Sequence, residues 1–191
     1  MNMRIVLVVL VITTTTLATV FFPPIPRLVW NASPSVPVGL YVIRPAKHYQ
    51  RGDLIAANPP SWLAKPLAER GYLPRGVPLL KFIAATMRQR VCRFGNRITI
   101  DGKTVGFARD LDSKGRPLMT WKGCHTLGDG EVFLMNFNVS DSLDGRYFQT
   151  FRAAYIVGHA VPVWTDEAGD GHHVWFSDSQ QKSPTSQPEG D

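Results

Sequence analysis

The feature that most limits how this chain can fold is a stretch without charge, Ile5 to Phe22, opening IVLVVLVI and closing VFF. A helix of that length spans about 27 Å, close to the hydrocarbon thickness of a bilayer. The Thr13 to Thr16 cluster weakens its apolar character, although threonine hydroxyls can bond back to helix carbonyls. A cleaved secretory leader is the competing reading. The run ends in Phe-Phe-Pro-Pro with no small-x-small site after it, so an uncleaved anchor is favoured. Arg4 and the terminal amine lie on one side and Arg27 on the other. That near balance gives only a slight bias toward a cytoplasmic N-terminus.

Beyond the anchor, the 191-residue chain has room for one domain that buries a real core. With 15 prolines and 16 glycines, short strands joined by turns are expected rather than a helical bundle. The net charge of +6 is scattered rather than gathered in a run or on one helix face. It therefore points to anionic headgroups before nucleic acid. Pro23, Pro24 and Pro26 make a stiff exit from the membrane, and Leu28 to Trp30 suits the interface.

Strands are expected at Leu40–Ile43, Asp53–Ala57, Leu79–Ala85, Glu131–Met135 and Tyr155–Trp164, with Pro162 placing the last at an edge. Arg97–Val105 reads as a hairpin turning at Asp101-Gly102. Pro60–Arg70 reads as a helix ending at Gly71, with a break at Pro66. From Thr165 onward the polar composition predicts a disordered tail. The expected division is an anchor with its flanks over 1–27, an all-β domain with one or two short helices over 28–164, and the tail over 165–191.

Lys81 is the most informative residue. Strand alternation puts it on the face shared by Leu79 and Ile83 in LLKFIAA. If that face is interior, desolvation disfavours the ammonium and makes the neutral amine a general base. The alternative is an exposed lysine on an edge strand. Ser35 sits in Ser33-Pro-Ser-Val-Pro37, a stiff loop that can hold a hydroxyl in one direction or be an ordinary Ser-Pro turn. A serine is a poor nucleophile until a base takes its proton, and lysine is one known partner. Ser140 to Phe148 contains Asp144 and Arg146, which make either a salt-bridged loop or the wall that holds the amine.

Cys92 and Cys124 are thiols in a cytosolic protein and can pair outside the membrane. Neither belongs to a CxxC pair, so no metal or other cofactor is expected. Several other patterns carry less. Gly102-Lys-Thr104 has the ending of a P-loop, but Arg97 stands where its first glycine belongs. His172-His173 lies in the polar tail, Asn31-Ala-Ser33 is a sequon only in a eukaryotic secretory pathway, and a triad built on His125 or His159 leaves Lys81 unexplained.

Together the three segments resemble the signal peptidase I superfamily, and most closely its conjugative-transfer branch, the TraF-type peptidases. Ser35-Val-Pro-Val-Gly-Leu-Tyr41 matches that branch's Ser-x-Pro-x-Gly-x-Tyr setting after an anchor, and Lys81-Phe-Ile matches its lysine strand. Ser142-Leu-Asp-Gly-Arg-Tyr-Phe148 matches its late Ser-x-Asp-x-Arg-Tyr-Phe motif. Phe82 departs from the arginine that usually follows the lysine, and Arg88-Gln89 from a later Gly-Asp.

The resemblance implies a signal-peptidase-like β-barrel or sandwich on one transmembrane helix, with the domain in the periplasm of a bacterial inner membrane. It implies Ser35 as nucleophile and Lys81 as base, with Ser142 orienting the amine and Asp144 with Arg146 as a supporting ion pair. The oxyanion hole would use the Ser35 N–H and the Ser33 hydroxyl. A disulfide between Cys92 and Cys124 is implied in the same way. The implied substrate is a conjugative pilin precursor of a type IV secretion system, its acyl-enzyme resolved by water or by a peptide amine that closes a ring. A general leader peptidase, or a non-catalytic scaffold of the secretion machinery, are the alternatives.

Overall fold

A computed structural model describes residues 2–21 and 28–177, the side chains of 18–21 excepted. The proline-rich exit at Pro23, Pro24 and Pro26, and Arg27 with it, lie outside the described residues. Helix α1 runs Met3–Phe21. Within it, the hydroxyls of Thr13 to Thr16 donate to carbonyls one turn back at 2.8 Å, so their polarity is satisfied inside the helix. Among the described residues no helix is long and apolar enough to cross a membrane.

The rest is built on two antiparallel sheets. The larger contains β1 (Leu28–Asn31), β2 (Val38–Arg44), β3 (Leu54–Ala57), β4 (Leu79–Ala85), β9 (Glu131–Leu134), β10 (Thr150–Arg152), β11 (Ile156–Asp166) and β12 (Val174–Trp175). Its order is β1-β2-β11-β3-β4-β9-β10, with β12 paired to β11. The smaller contains β5 (Arg90–Phe94), β6 (Arg97–Ile100), β7 (Lys103–Phe107) and β8 (Gly123–Thr126), in the order β7-β6-β5-β8. Helices α2 (Ser61–Glu69) and α3 (Gly145–Phe148) complete the domain. The fold is mainly β with short helices, as expected, and the barrel-or-sandwich expectation resolves into an open large sheet and a small one.

Strand alternation explains the core. From β4, Leu79 and Ile83 pack into one cluster with Ile55, Leu63 and Leu67, while Leu80 and Phe82 pack into another with Tyr41 and Ile43. Leu63 and Leu67 are four apart, hence on one face of α2, and both are buried. Burial of each is worth about 2 kcal/mol. A third cluster joins the sheets, with Phe133 and Met135 meeting Val91, Ile98 and Ile100. The expected β6–β7 hairpin turns where Asp101 and Gly102 adopt φ of 50° and 80°, as a two-residue primed turn requires.

Three expectations are corrected. Pro66 does not break α2, which runs unbroken over Ser61–Glu69 because proline removes one helical bond only, to the carbonyl of Trp62. The helix then ends at Gly71 with a Schellman pair, Tyr72 N–H to Leu67 O at 2.9 Å and Gly71 N–H to Ala68 O at 3.0 Å. Pro162 does not mark an outer edge, since β11 lies between β2 and β3. It sits beside a bulge, between the stretch bonded to β3 (156–159) and that bonded to β12 (164–165), where one flank of β11 is locally open. Finally, the boundary at 164 falls inside β11, and residues 165–177 are folded rather than disordered. Asp166 accepts the backbone N–H groups of Gly169 and Gly171 at 2.7 and 2.8 Å, making a turn that polar composition concealed. Residues 178–191 lie outside the described residues.

Cys92 and Cys124 face each other across β5 and β8 and form a disulfide. With a sequence separation of 32 between the bridged positions, the chain-entropy model assigns it about 3–4 kcal/mol. The Cys92→Ser/Cys124→Ser double variant is expected to lose stability of that order in urea denaturation. An unchanged midpoint would show that the small sheet holds its register without the bridge.

Candidate active site

Lys81 lies in the middle of β4, every residue of which is buried. Its neighbours are β3, where Ile55 stands opposite, and β9. The lysine side chain is only 3% exposed. The exposed edge-strand alternative is thereby excluded. Burial lowers the Lys81 pKa from its ordinary value to about 8, with Asp144 and Asp141 opposing the shift and Arg146 adding to it. The amine donates to Ser142 Oγ at 2.8 Å.

Ser142 owes its position to a buried ion pair. Asp144 and Arg146 meet at 2.8 Å with side chains 0% and 2% exposed. Asp144 caps α3 by accepting from the Arg146 N–H. The guanidinium also donates to the carbonyls of Ser140, Asn136, Val139 and Ser142 at 2.6 to 3.4 Å. One planar cation thus gathers the loop that carries Ser142. Gly145 is required between the pair, since a Cβ there would lie 2.5 Å from the Phe133 ring and 2.8 Å from Leu134 O. From the small sheet, buried Arg93 reaches the Arg146 carbonyl at 2.5 Å.

The Ser35 loop is organised by Asn31, whose amide donates to the carbonyls of Ser33, Val36 and Pro37 at 2.7, 3.0 and 3.1 Å. Tyr41 adds a hydrogen bond to Pro37 O at 2.7 Å. Ser33 Oγ and Ser35 Oγ are 2.9 Å apart. Ser33, Ser35, Lys81 and Ser142 line one cavity of about 400 Å³, with Trp30 and Leu79 in its largely apolar wall. Ser35 also lines a second cavity, of about 370 Å³, with Phe82, Asn136, Asp166 and Glu167. Among the described residues no hydrogen bond joins Ser35 to Lys81; the two hydroxyls of the loop bond each other, and the amine bonds Ser142.

All the residues singled out in the sequence for this chemistry therefore gather at one place. Sequence reasoning missed Asn31, Arg93 and Asn136. Asn136 is 1% exposed and donates to Ser35 O at 2.6 Å. The only signal for it is an amide side chain directly after the apolar EVFLM strand. The departures from the resemblance are absorbed locally: Phe82 is buried in the core, and Arg88 takes a φ of 72°, the region where glycine is favoured.

His125 and His159 do not line this cavity. His159 faces Asp53 at 3.3 Å and His125 faces Glu131 at 2.7 Å. Among the described residues no group of three His, Cys, Asp or Glu side chains is placed to hold a metal.

Comparison with known proteins identifies the family of the chain. The family described as signal peptidase, peptidase S26, matches residues 1–165. A plasmid transfer protein TraF of Escherichia coli is 28% identical over 144 residues, covering 71% of this chain and 81% of the relative. A second TraF of Escherichia coli is 31% identical over 146 residues with the same coverage. A signal peptidase I from Enterococcus faecalis V583 aligns in structure over 59% of this chain and 97% of its own, at 21% identity and a TM-score of 0.35. Because the matched stretch takes in the serine loop, the lysine strand and the Asp144–Arg146 loop together, this chain belongs to the peptidase S26 family of signal peptidases and is of the TraF type.

Proposed function

We propose that this S26 peptidase uses a Ser35–Lys81 dyad to mature a conjugative pilin precursor at the outer face of a bacterial inner membrane. One observation carries the reading: a lysine amine, 3% exposed and held by Ser142, lines the same cavity as a loop serine. The membrane setting rests on the uncharged run Ile5 to Phe22 in the sequence and on the exposed Trp30. The substrate class rests on the resemblance to TraF-type peptidases and on relatives named for plasmid transfer.

In this mechanism Oγ of Ser35 turns from Ser33 toward the neutral Lys81 amine, which takes its proton as the oxygen attacks the scissile carbonyl. The turn frees the Ser33 hydroxyl to join the Ser35 N–H in stabilising the oxyanion, at about 3–4 kcal/mol per donor. The Lys81 ammonium then protonates the leaving amine. The resulting ester at Ser35 is opened by water, or by a peptide amine when the product is a ring. Ser142 keeps the amine aimed throughout, and the Asp144–Arg146 pair keeps Ser142 in place.

Ser35→Ala and Lys81→Ala are each expected to abolish precursor cleavage at normal protein levels. Intact pilus assembly in both would leave only the scaffold reading. Tested side by side, one propilin should be cleaved and a panel of other exported precursors spared; cleavage of the panel would make the protein a general leader peptidase. Because the working form is the neutral amine, the cleavage rate should rise as pH passes through about 8 and level off above it. A rate that is flat from pH 6 to 10 would remove Lys81 as base.

The same burial has a cost in stability. The folded pKa lies below the unfolded value, so the unfolded chain binds more protons between about 8 and 10.5. Stability therefore rises with pH through that window, and the full deficit is present at pH 7. Lys81→Met is expected to gain on the order of 2–3 kcal/mol at pH 7 while losing activity, and its advantage should shrink as pH rises from about 8 to 10.5. A less stable Lys81→Met protein at pH 7 would mean that the Ser142 contact outweighs desolvation.

A further inference from the structure

Asn136 belongs to none of the three motifs, yet its side chain touches both halves of the site. Its Nδ2 donates to the carbonyl of Ser35 at 2.6 Å, and its Oδ1 accepts the N–H of Phe82, the peptide group directly after Lys81, at 3.2 Å. Its own backbone N–H donates to Asp144 Oδ2 at 3.1 Å, and its carbonyl accepts from Arg146 at 3.4 Å. The residue is 1% exposed, so its buried bond with the Phe82 N–H has no water as a ready substitute. Ser35 and Lys81 are held by different elements: a loop pinned by Asn31, and a strand pinned by β3 and β9. Among the described contacts, a planar amide with both ends occupied runs directly from the peptide of one to the peptide of the other.

We infer that Asn136 is a positioning residue that sets the separation of the Ser35 hydroxyl and the Lys81 amine. This rests on the dyad reading above. The amide is suited to the task because it offers one donor and one acceptor at a fixed distance. An alanine there leaves the Ser35 carbonyl and the Phe82 N–H unbridged. An aspartate keeps an acceptor for Phe82 but sets an oxygen against the Ser35 carbonyl. Displacement of a reacting group by about 1 Å can cost about a hundredfold in rate.

In Asn136→Ala, Lys81 is expected to keep its burial and its Ser142 partner, because the Ser142 contact does not use the side chain at position 136. The charged groups around the amine, Asp141, Asp144 and Arg146, are unchanged too. Position 136 itself faces Asp144 and Arg146 through its backbone and shares its cavity with Asp166 and Glu167.

The test uses acylation of the full-length, detergent-solubilised protein by p-nitrophenyl acetate, followed as a mass gain on the Ser35 peptide. In that step the Ser35 Oγ–acyl bond forms, the bond to p-nitrophenolate breaks, and the proton passes to Lys81. The probe needs no leader sequence, so it reports the dyad alone. Asn136→Ala and Asn136→Asp are expected to acylate at least tenfold more slowly at pH 9. For the alanine variant the midpoint of the pH profile should stay at its original place. A merely structural role would loosen the cover of Lys81 and move that midpoint up toward the ordinary lysine value.

Thermal melts identify which variants are folded, and Asn136→Asp, which keeps the Phe82 contact, carries the test if the alanine variant does not fold. Wild-type acylation rates in a folded variant, or an alanine profile displaced upward, overturn the inference while leaving the dyad. Absence of Ser35 acylation in the unaltered protein, or its persistence in Lys81→Ala, overturns the dyad and the inference with it.

Discussion

A lysine amine kept out of water governs the rest of this structure. The central position of β4 buries every residue on it, and the Lys81 head reaches only the wall of the cavity it shares with Ser35. The protein answers with one hydroxyl partner, Ser142, rather than a carboxylate. A carboxylate at hydrogen-bond distance would lock the ammonium in place. A hydroxyl can donate to a neutral amine as well as accept from an ammonium, so the contact survives either protonation state.

That choice transfers the structural burden to whatever holds the hydroxyl. Ser142 lies in a loop, and an isolated loop positions a side chain poorly. Arg146 gathers four of the loop's carbonyls and Asp144 at once, and Gly145 lets the segment press against Phe133 and Leu134. The small sheet takes part through Arg93, whose neighbour Cys92 is bridged to β8. The smaller sheet therefore braces the loop from behind, while the larger sheet carries the amine.

Much of this was legible in the sequence because its residues are costly wherever they do not serve. A charge within LLKFIAA, a Ser-Pro-Ser-Val-Pro loop and an Asp-Gly-Arg triplet each oppose local preference. Alternation predicted the face of Lys81, and Asp101-Gly102 predicted its hairpin, since both depend on neighbours in sequence. The failures arose where long-range pairing decides. Pro162 reads as an edge residue but occupies a gap between two partners of β11, and the polar stretch after Thr165 is held by a hairpin to β11 and by the Asp166 turn. Asn136 and Arg93 were invisible because an amide and a guanidinium announce nothing until their distant partners are known.

The ion pair behind the amine also has an electrostatic role that its packing does not exhaust. Asp144 alone would favour the Lys81 ammonium and so oppose the neutral form that the chemistry requires; Arg146 acts in the opposite direction. Because the two are joined at 2.8 Å and nearly fully buried, the amine meets close to a dipole rather than a net charge. Desolvation is then left as the dominant influence on its pKa. A buried pair of this kind is a poor source of net stability, since the loss of hydration offsets most of its attraction. Its retention makes sense as the means by which a loop is held rigid beside a lysine without restoring that lysine's proton.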